Sequence, residues 1–147
     1  MSKSILVAVD VSESDHDICV LQTAHALAKM QGAELIMMTV VPNFGMSIVG
    51  SFFEKDFHDK LVAKTKESLH AMLAKAAIDE TGDTKVRLVV ATGTAYEEIL
   101  QFTKRIDCEL IVIGAHKPDL KDYLLGPNAA RVVRHAKQSV YVVRSQA

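Results

Sequence analysis

The stretch SILVAVD, at residues 4–10, sets the fold of this chain. Its apolar residues run continuously instead of alternating with polar ones, which is typical of a strand covered on both faces, as in a parallel sheet. The acid Asp10 ends the run. Apolar residues then recur at helical spacing from residue 20 to residue 28, and Gly32 ends that pattern. The segment therefore predicts the first strand and helix of a parallel sheet.

The same cycle repeats along the chain. Five strand-like runs alternate with four helical patterns, which predicts an α/β fold. We expect a single domain over residues 1–147, with a doubly wound, Rossmann-like parallel sheet, right-handed crossovers and strand order 3-2-1-4-5. Residues 42–53 (PNFGMSIVGSFF) resist assignment, since they are apolar yet carry two glycines. They are either a flap over a site or a loop packed against their own domain or a partner subunit. The later predicted strands are residues 34–41, 85–91, 109–114 and 139–144. The later predicted helices are one over about residues 54–77, one that starts near residue 94 and includes residue 106, and one marked by apolar residues from 129 to 136.

Composition narrows the class of protein. The 147 residues are 49% hydrophobic and 24% charged, with a formal net charge of −1, which gives no reason to expect a nucleic-acid partner. The first residues lack the pattern of a signal peptide, and no apolar run approaches the roughly 18 residues that span a bilayer. Cys19 and Cys108 lie far apart with no CxxC motif, so we expect both to be reduced and buried, the alternative being a disulfide. These features predict a cytoplasmic protein without a membrane partner.

The strand ends exclude several common chemistries. Ligands of open parallel sheets bind at the carboxyl ends of the strands, where Asp10, Val40 and Gly114 are expected. A phosphoacceptor domain needs a carboxylate after the third strand, but this chain has Ala-Thr-Gly at residues 91–93. GxGxxG after the first strand, the Walker motif, HExxH and GxSxG are all absent from the sequence. We therefore predict no catalytic residues and no protein-ligated metal.

The segment GAHKPDLKDYLLGPNAARVVRHA, residues 114–136, is the strongest candidate site. It runs from a predicted strand end to a predicted helix start, where unpaired amides and the helix dipole favour an anion. Gly114 and Gly126 would let the backbone approach a sugar or phosphate. Positive charge would come from His116, Lys117 and Lys121, although a solvated turn explains the lysines equally simply.

Several motifs together resemble the universal stress protein family. They are VAVDVSESD after the first strand, TVVP ending the second, VVATGTAYEEIL entering the third helix, and IVIGAHKPDLKDYLLGPNAARVVRHAKQSVYVVR to residue 144. The resemblance covers essentially the whole chain. It is strongest to the single-domain bacterial F/G-type branch, which carries an HRPD…YLLGSNAA…VVRHA signature.

The resemblance implies a nucleotide site. One class of the family binds ATP through a G-x2-G-x9-G-[ST] pattern, and another class lacks the pattern and does not retain nucleotide. In binders the first-strand acid contacts the nucleoside, the end of the second strand reads the adenine edge, and the glycine loop holds ribose and phosphates. Carried onto this chain, the implied nucleotide-binding residues are Ala8, Val9, Asp10, Val40, Gly114, His116, Lys117, Gly126, Pro127, Asn128 and Ala129.

The chain departs from that pattern twice. Lys117 replaces the second glycine, where the F/G-type branch usually has arginine. Pro127 stands at the [ST] position and has neither a backbone N–H nor a hydroxyl to donate to a phosphate. Because a hydrogen bond to a charged group contributes roughly 1.5–3 kcal/mol, affinity for ATP should fall by roughly ten- to a thousandfold. Asn128 can still supply a donor, and Lys117 or Lys121 can restore positive charge.

We therefore expect an ATP-binding regulatory protein of the stress response without designed catalysis. Any Mg²⁺ would be held mainly by the phosphates and water. The alternatives are a family member that has lost ATP binding and acts through dimerisation and protein contacts, or a slow ATPase. Residues 139–144 form an apolar predicted edge strand, and family members commonly dimerise through the final strand. We expect a homodimer with antiparallel pairing there, the alternative being a monomer whose edge is shielded by residues 42–53.

Overall fold

Strands and helices alternate through the computed structural model, which describes residues 3–41, 51–115 and 127–144. The predicted boundaries hold to within three residues at most ends. The last three residues of the unassigned stretch 42–53 belong to a helix, and residues 42–50 lie outside the described residues. The elements are β1 (Ser4–Ala8), a 3₁₀ turn (Val11–Glu13), α1 (Ser14–Gln31), β2 (Glu34–Val41), α2 (Ser51–Lys75), β3 (Val86–Thr92), α3 (Ala95–Arg105), β4 (Leu110–Gly114), α4 (Pro127–His135) and β5 (Ser139–Val143).

The sheet has the predicted order. Its five strands run β3-β2-β1-β4-β5, and the paired strands are all parallel. The first strand is central, because Val7 is paired with Met37 of β2 on one side and with Val112 of β4 on the other. The carboxyl ends of β1, β2 and β4 therefore lie side by side, and the chain leaves β1 and β4 in opposite directions across the sheet.

Both faces of the sheet are covered, which explains why its central strands are continuously apolar. On one face, Ile5 and Val7 pack in a buried cluster with Leu21 of α1 and Leu69 of α2. On the other face, Leu6 lies in a second cluster, together with Ile36, Met38, Ile99 of α3 and Val132 of α4. Each strand thus contributes alternate residues to two separate cores, so neither face of the sheet has to be polar. None of the described helices is long and apolar enough to cross a membrane.

Helices α1 and α2 end in the same hydrogen-bonded turn. Ala33 N–H donates to the carbonyl of Ala28 at 2.9 Å, and Ile78 N–H donates to the carbonyl of Leu73 at 3.0 Å. Each turn needs a left-handed residue just before that donor. In α1 this residue is Gly32, with φ of 63°, whereas in α2 it is Ala77, with φ of 59°. Because a left-handed conformation is unfavourable for alanine, the end of α2 is locally strained.

Replacing Ala77 with glycine is expected to stabilise the protein by about 0.5–1 kcal/mol, since relief of the left-handed strain exceeds the entropy cost of glycine. The reverse change, Gly32→Ala, is the matched control and should destabilise by about 1 kcal/mol. Its added Cβ would meet nothing within 4 Å, so only the backbone conformation is tested. Urea unfolding of both variants measures the effects. Destabilisation by Ala77→Gly would show that the turn at α2 is not strained.

Candidate functional site

A cleft opens where the carboxyl ends of β1, β2 and β4 meet. The volume of the cleft is about 770 Å³ when the space at its open mouth is included. The first turns of α3 and α4 form its rim. Eight of the eleven residues implied by the sequence resemblance line it. Three others, His116, Lys117 and Gly126, lie outside the described residues, as does Lys121. The eight that the fold brings together are Ala8, Val9, Asp10, Val40, Gly114, Pro127, Asn128 and Ala129.

Asp10 is held by the turn that follows β1. Val9 N–H still donates to the carbonyl of Met38 at 2.9 Å, so the strand ladder continues to the edge of the cleft. The backbone N–H and the hydroxyl of Ser12 then both donate to Asp10 Oδ1, at 2.9 and 2.6 Å. These bonds fix the Asp10 carboxylate through one oxygen, although the side chain is exposed. The acid is therefore positioned at the cleft before any ligand arrives.

Asp17 is a second acid in the cleft that the sequence reasoning missed as a site residue. Its Oδ2 accepts a hydrogen bond from the backbone N–H of Asp10 at 2.6 Å. Its Oδ1 lies 3.4 Å from the position that a Cβ on Gly114 would occupy. Asp15 and Asp17 are both in the first turn of α1, where acids complement the partial positive charge of a helix N-terminus. The signal that would have found it is its place in the first turn of a helix that starts beside a strand end.

Gly114 is favoured by packing. A Cβ at this position would lie 3.0 Å from Val20 Cγ2 on α1, tighter than most real Cβ contacts, so Val20 would have to shift slightly. Glycine therefore lets α1 lie close against the end of β4. Because packing already favours glycine here, Gly114 is not by itself a sign of nucleotide binding.

Two helix N-termini face the cleft. Ala95, the first residue of α3, and Pro127, the first residue of α4, both line it. Thr94 makes no side-chain hydrogen bond that would cap α3. The first-turn amides of a helix carry a partial positive charge, which favours an anion. In α3 this charge is offset by Glu97 and Glu98, while the first turn of α4 has no acid. The α4 side is thus the more suitable for phosphate.

The floor of the cleft is apolar. Met38, Ile99 and Ile113 lie among its lining residues and are almost fully buried, so this part of the lining is uncharged. Ile99 also belongs to the core cluster beneath α3 and α4. Apolar walls with a few polar groups are typical of sites for small organic ligands.

The described residues give no sign of a metal or thiol centre. They contain no group of three or more histidine, cysteine, aspartate or glutamate side chains placed to hold a metal ion. Both cysteines are free, Cys108 being buried and Cys19 half-buried. Burial raises the pKa of the Cys108 thiol, so it stays protonated and is a poor nucleophile. The expectation that both cysteines are buried is thus correct only for Cys108.

Comparison with known proteins identifies the family. Residues 1–144 match the model of the universal stress protein family. Universal stress protein G of Escherichia coli O157:H7 is 28% identical over 146 residues, 98% of this chain and all of the relative. The solved structure of universal stress protein MJ0577 of Methanocaldococcus jannaschii superposes on this chain with a TM-score of 0.79. The two sequences are 25% identical, and the match covers 100% of this chain and 99% of the other. A universal stress protein from Archaeoglobus fulgidus, solved in complex with dAMP, is 24% identical, covers 95% of this chain and 96% of its own, and has a TM-score of 0.66. The sequence resemblance and the fold therefore lead to one conclusion: the chain belongs to the universal stress protein family.

Proposed function

We propose that this universal stress protein binds an adenine nucleotide, ATP in the first instance, as a regulatory ligand. The observation that carries the proposal is the cleft, which gathers eight residues from β1, β2, β4 and α4 that are far apart in sequence. The dAMP complex of the Archaeoglobus fulgidus protein supports an adenine ligand for a domain of this fold. A role in the stress response and a cytoplasmic location belong to the same proposal.

Each part of the cleft suits one part of the ligand. The adenine ring lies on the apolar floor beside Val40, where backbone groups at the end of β2 read its edge. Asp10, held by Ser12, accepts from a ribose hydroxyl. The phosphates lie toward the N-terminus of α4, near Asn128. His116, Lys117 and Gly126 are proposed to complete the phosphate end of the site.

This cleft is better suited to the nucleoside of ATP than to its phosphates. Pro127 begins α4 and offers no N–H at the point where one would be most useful. Magnesium, where it accompanies ATP, is proposed to be held by phosphate oxygens and water, because the described residues form no three-ligand group. The chain's own contribution is to bind and orient the nucleoside.

The binding test is direct. Protein purified under native conditions is denatured and its supernatant examined at 260 nm for released nucleotide, and ATP is titrated into the empty protein by calorimetry. We expect either bound nucleotide or measurable heat. An empty protein that gives no heat up to millimolar ATP removes the proposal and leaves the family member that has lost ATP binding.

Hydrolysis is proposed to be incidental. Among the described residues that line the cleft there is no arginine or lysine to stabilise transferred charge. Ser12 donates two hydrogen bonds to Asp10 Oδ1, and Asp17 accepts one from the backbone N–H of Asp10. A carboxylate held in this way is better suited to binding a ligand than to transferring a proton. Phosphate release should therefore equal that of an Asp10→Ala control. A clear excess over that control would make the protein an ATPase.

A homodimer through the last strand is the second proposal. The described part of the sheet ends at β5, which pairs with β4 on one side only. Tyr141 is 47% exposed at this edge, while Val140 and Val142 pack partly against the core. An apolar edge strand without proline favours pairing with a second copy. We expect light scattering at tens of micromolar to give twice the chain mass of 16.1 kDa. A species at the single-chain mass would contradict the dimer.

A further inference from the structure

We propose that Arg131 belongs to the ligand site and contacts the phosphates of a bound nucleotide from the mouth of the cleft. The inference rests on the proposed adenine site and deepens it, because it assigns to the phosphates a cation that lies outside the set implied by the family motifs. Two independent observations carry it. They are the position of Arg131 along α4 and the contact of its guanidinium with Tyr96 on α3.

The helical register places Arg131 on the cleft side of α4. Pro127 and Asn128 both line the cleft, and Arg131 follows them in the same helix by four and three positions. Residues three or four positions apart are neighbours on one face of a helix, and long side chains point back toward the helix N-terminus. The side chain of Arg131 therefore extends along α4 toward the rim of the cleft.

The guanidinium of Arg131 is held against the other rim helix. Its Cζ lies over the ring of Tyr96, 4.6 Å from the ring centroid. Tyr96 directly follows Ala95, the first residue of α3, which lines the cleft. Arg131 is exposed and Tyr96 is half-buried, so the pair joins the two rim helices at the protein surface. A guanidinium has five N–H donors, so its contact with a ring leaves donors for a second partner.

The phosphate end of the described cleft lacks a cation among its lining residues. These include no lysine or arginine, and Pro127 offers no N–H at the start of α4. In the proposed site the phosphates extend toward that helix start, which is the side on which Arg131 lies. Arginine is always charged and can donate two parallel N–H bonds to phosphate oxygens. Arg131 thus supplies the charge that the lining itself does not, and its contact serves binding.

The first test removes the cation. Adenosine and ATP are titrated calorimetrically into the parent and into Arg131→Met, at fixed ionic strength with EDTA. Methionine is unbranched and suits a helix, but it has neither a charge nor a donor. We expect ATP affinity to fall about tenfold, because the lost contact is a hydrogen bond between charged groups. Adenosine affinity should change less than about twofold.

Arg105→Met is the matched control for net charge. Arg105 is exposed and is the last residue of α3, at the opposite end of that helix from the cleft. The substitution removes the same charge, but the distance exceeds the screening length at physiological salt. Both ligands should therefore change less than about twofold. Thermal melts of the variants verify that they fold.

The second test removes the ring. Tyr96→Leu should weaken ATP binding about two- to fivefold, the change that corresponds to losing one exposed cation–π contact. Tyr96→Phe keeps the ring and removes only the hydroxyl that donates to Glu97 at 3.2 Å, so ATP affinity should stay within about twofold. In the Arg131→Met background, Tyr96→Leu should weaken ATP no further, because the ring acts through the arginine.

The outcomes distinguish this inference from the proposed function. If the parent binds neither adenosine nor ATP, the adenine site itself is wrong, and the role of Arg131 with it. If adenosine binds but Arg131→Met leaves the ratio of ATP to adenosine affinity unchanged, only the role of Arg131 is wrong. The same conclusion follows if Arg105→Met shifts that ratio equally. If Tyr96→Leu weakens ATP as much in Arg131→Met as in the parent, the ring does not position the cation.

Discussion

Replacing Pro127 with serine is expected to strengthen ATP binding by about 1.5–3 kcal/mol, the contribution of one hydrogen bond to a charged group. Pro127 is the first residue of α4 and lines the cleft. Serine would restore a backbone N–H and a hydroxyl there, and it also suits a helix start, so the fold should tolerate the change. Calorimetric titration of ATP measures the effect.

Adenosine is the control for Pro127→Ser. It has no phosphate, so its affinity should change little, because in the proposed site Asp10, Val40 and Gly114 hold only the nucleoside. Equal gains for ATP and adenosine would show that the start of α4 is not a phosphate cradle. A nearly neutral Pro127→Ser, together with ATP-specific weakening by Lys117→Ala, would instead assign the phosphates to the lysine-bearing loop.

Shortening Leu6 to alanine is expected to lower the free energy of unfolding by about 3–5 kcal/mol, at the upper end of large-to-small core changes. Leu6 is fully buried and lies on the central strand, paired with Ile36 and Ile111. It packs in the core beneath α3 and α4, and pairing on both sides leaves the strand little room to close the cavity.

Urea unfolding of Leu6→Ala checks this expectation, with Val133→Ala as the matched control. Val133 is 44% exposed on α4, so its truncation should change stability by less than about 0.5 kcal/mol. A loss below about 1 kcal/mol for Leu6→Ala would mean that the core collapses around the missing side chain and that β1 is not the rigid centre of the sheet.

The fold was predictable because its strongest signals are local. Residues 34–41 form β2 with the bounds that their continuous hydrophobicity predicted. Gly32 ends α1 as expected, in a left-handed conformation. The predicted first strand was two residues too long. The strand covers Ser4–Ala8, and just beyond it the N–H of Val9 still donates to the carbonyl of Met38. The left-handed Ala77 was not predictable, because no propensity favours alanine there and tertiary packing imposes the turn.

The candidate site was predictable only where residues act through the backbone or through a known motif. Asp10 and Val40 follow directly from the strand ends. Asp17 and Ala95 were not predicted as residues of the cleft, because their place in it depends on how closely α1 and α3 approach the edge of the sheet. That approach is set by contacts such as Val20 against Gly114, which join residues nearly a hundred positions apart and leave no local pattern. Residues that reach a cleft from neighbouring helices and belong to no known motif are therefore the ones that sequence reasoning misses.

The central place of β1 has a consequence for how the chain is made. Ile5 emerges from the ribosome long before Leu110, which is one of its partners on the sheet. At 5–20 residues per second, this side of β1 stays unpaired for roughly 5–20 s of synthesis. During that time the nascent chain exposes an apolar strand edge, on which chaperones or other nascent chains can act. We expect the yield of folded protein to respond to translation speed and chaperone supply more strongly than the stability of the finished molecule would suggest.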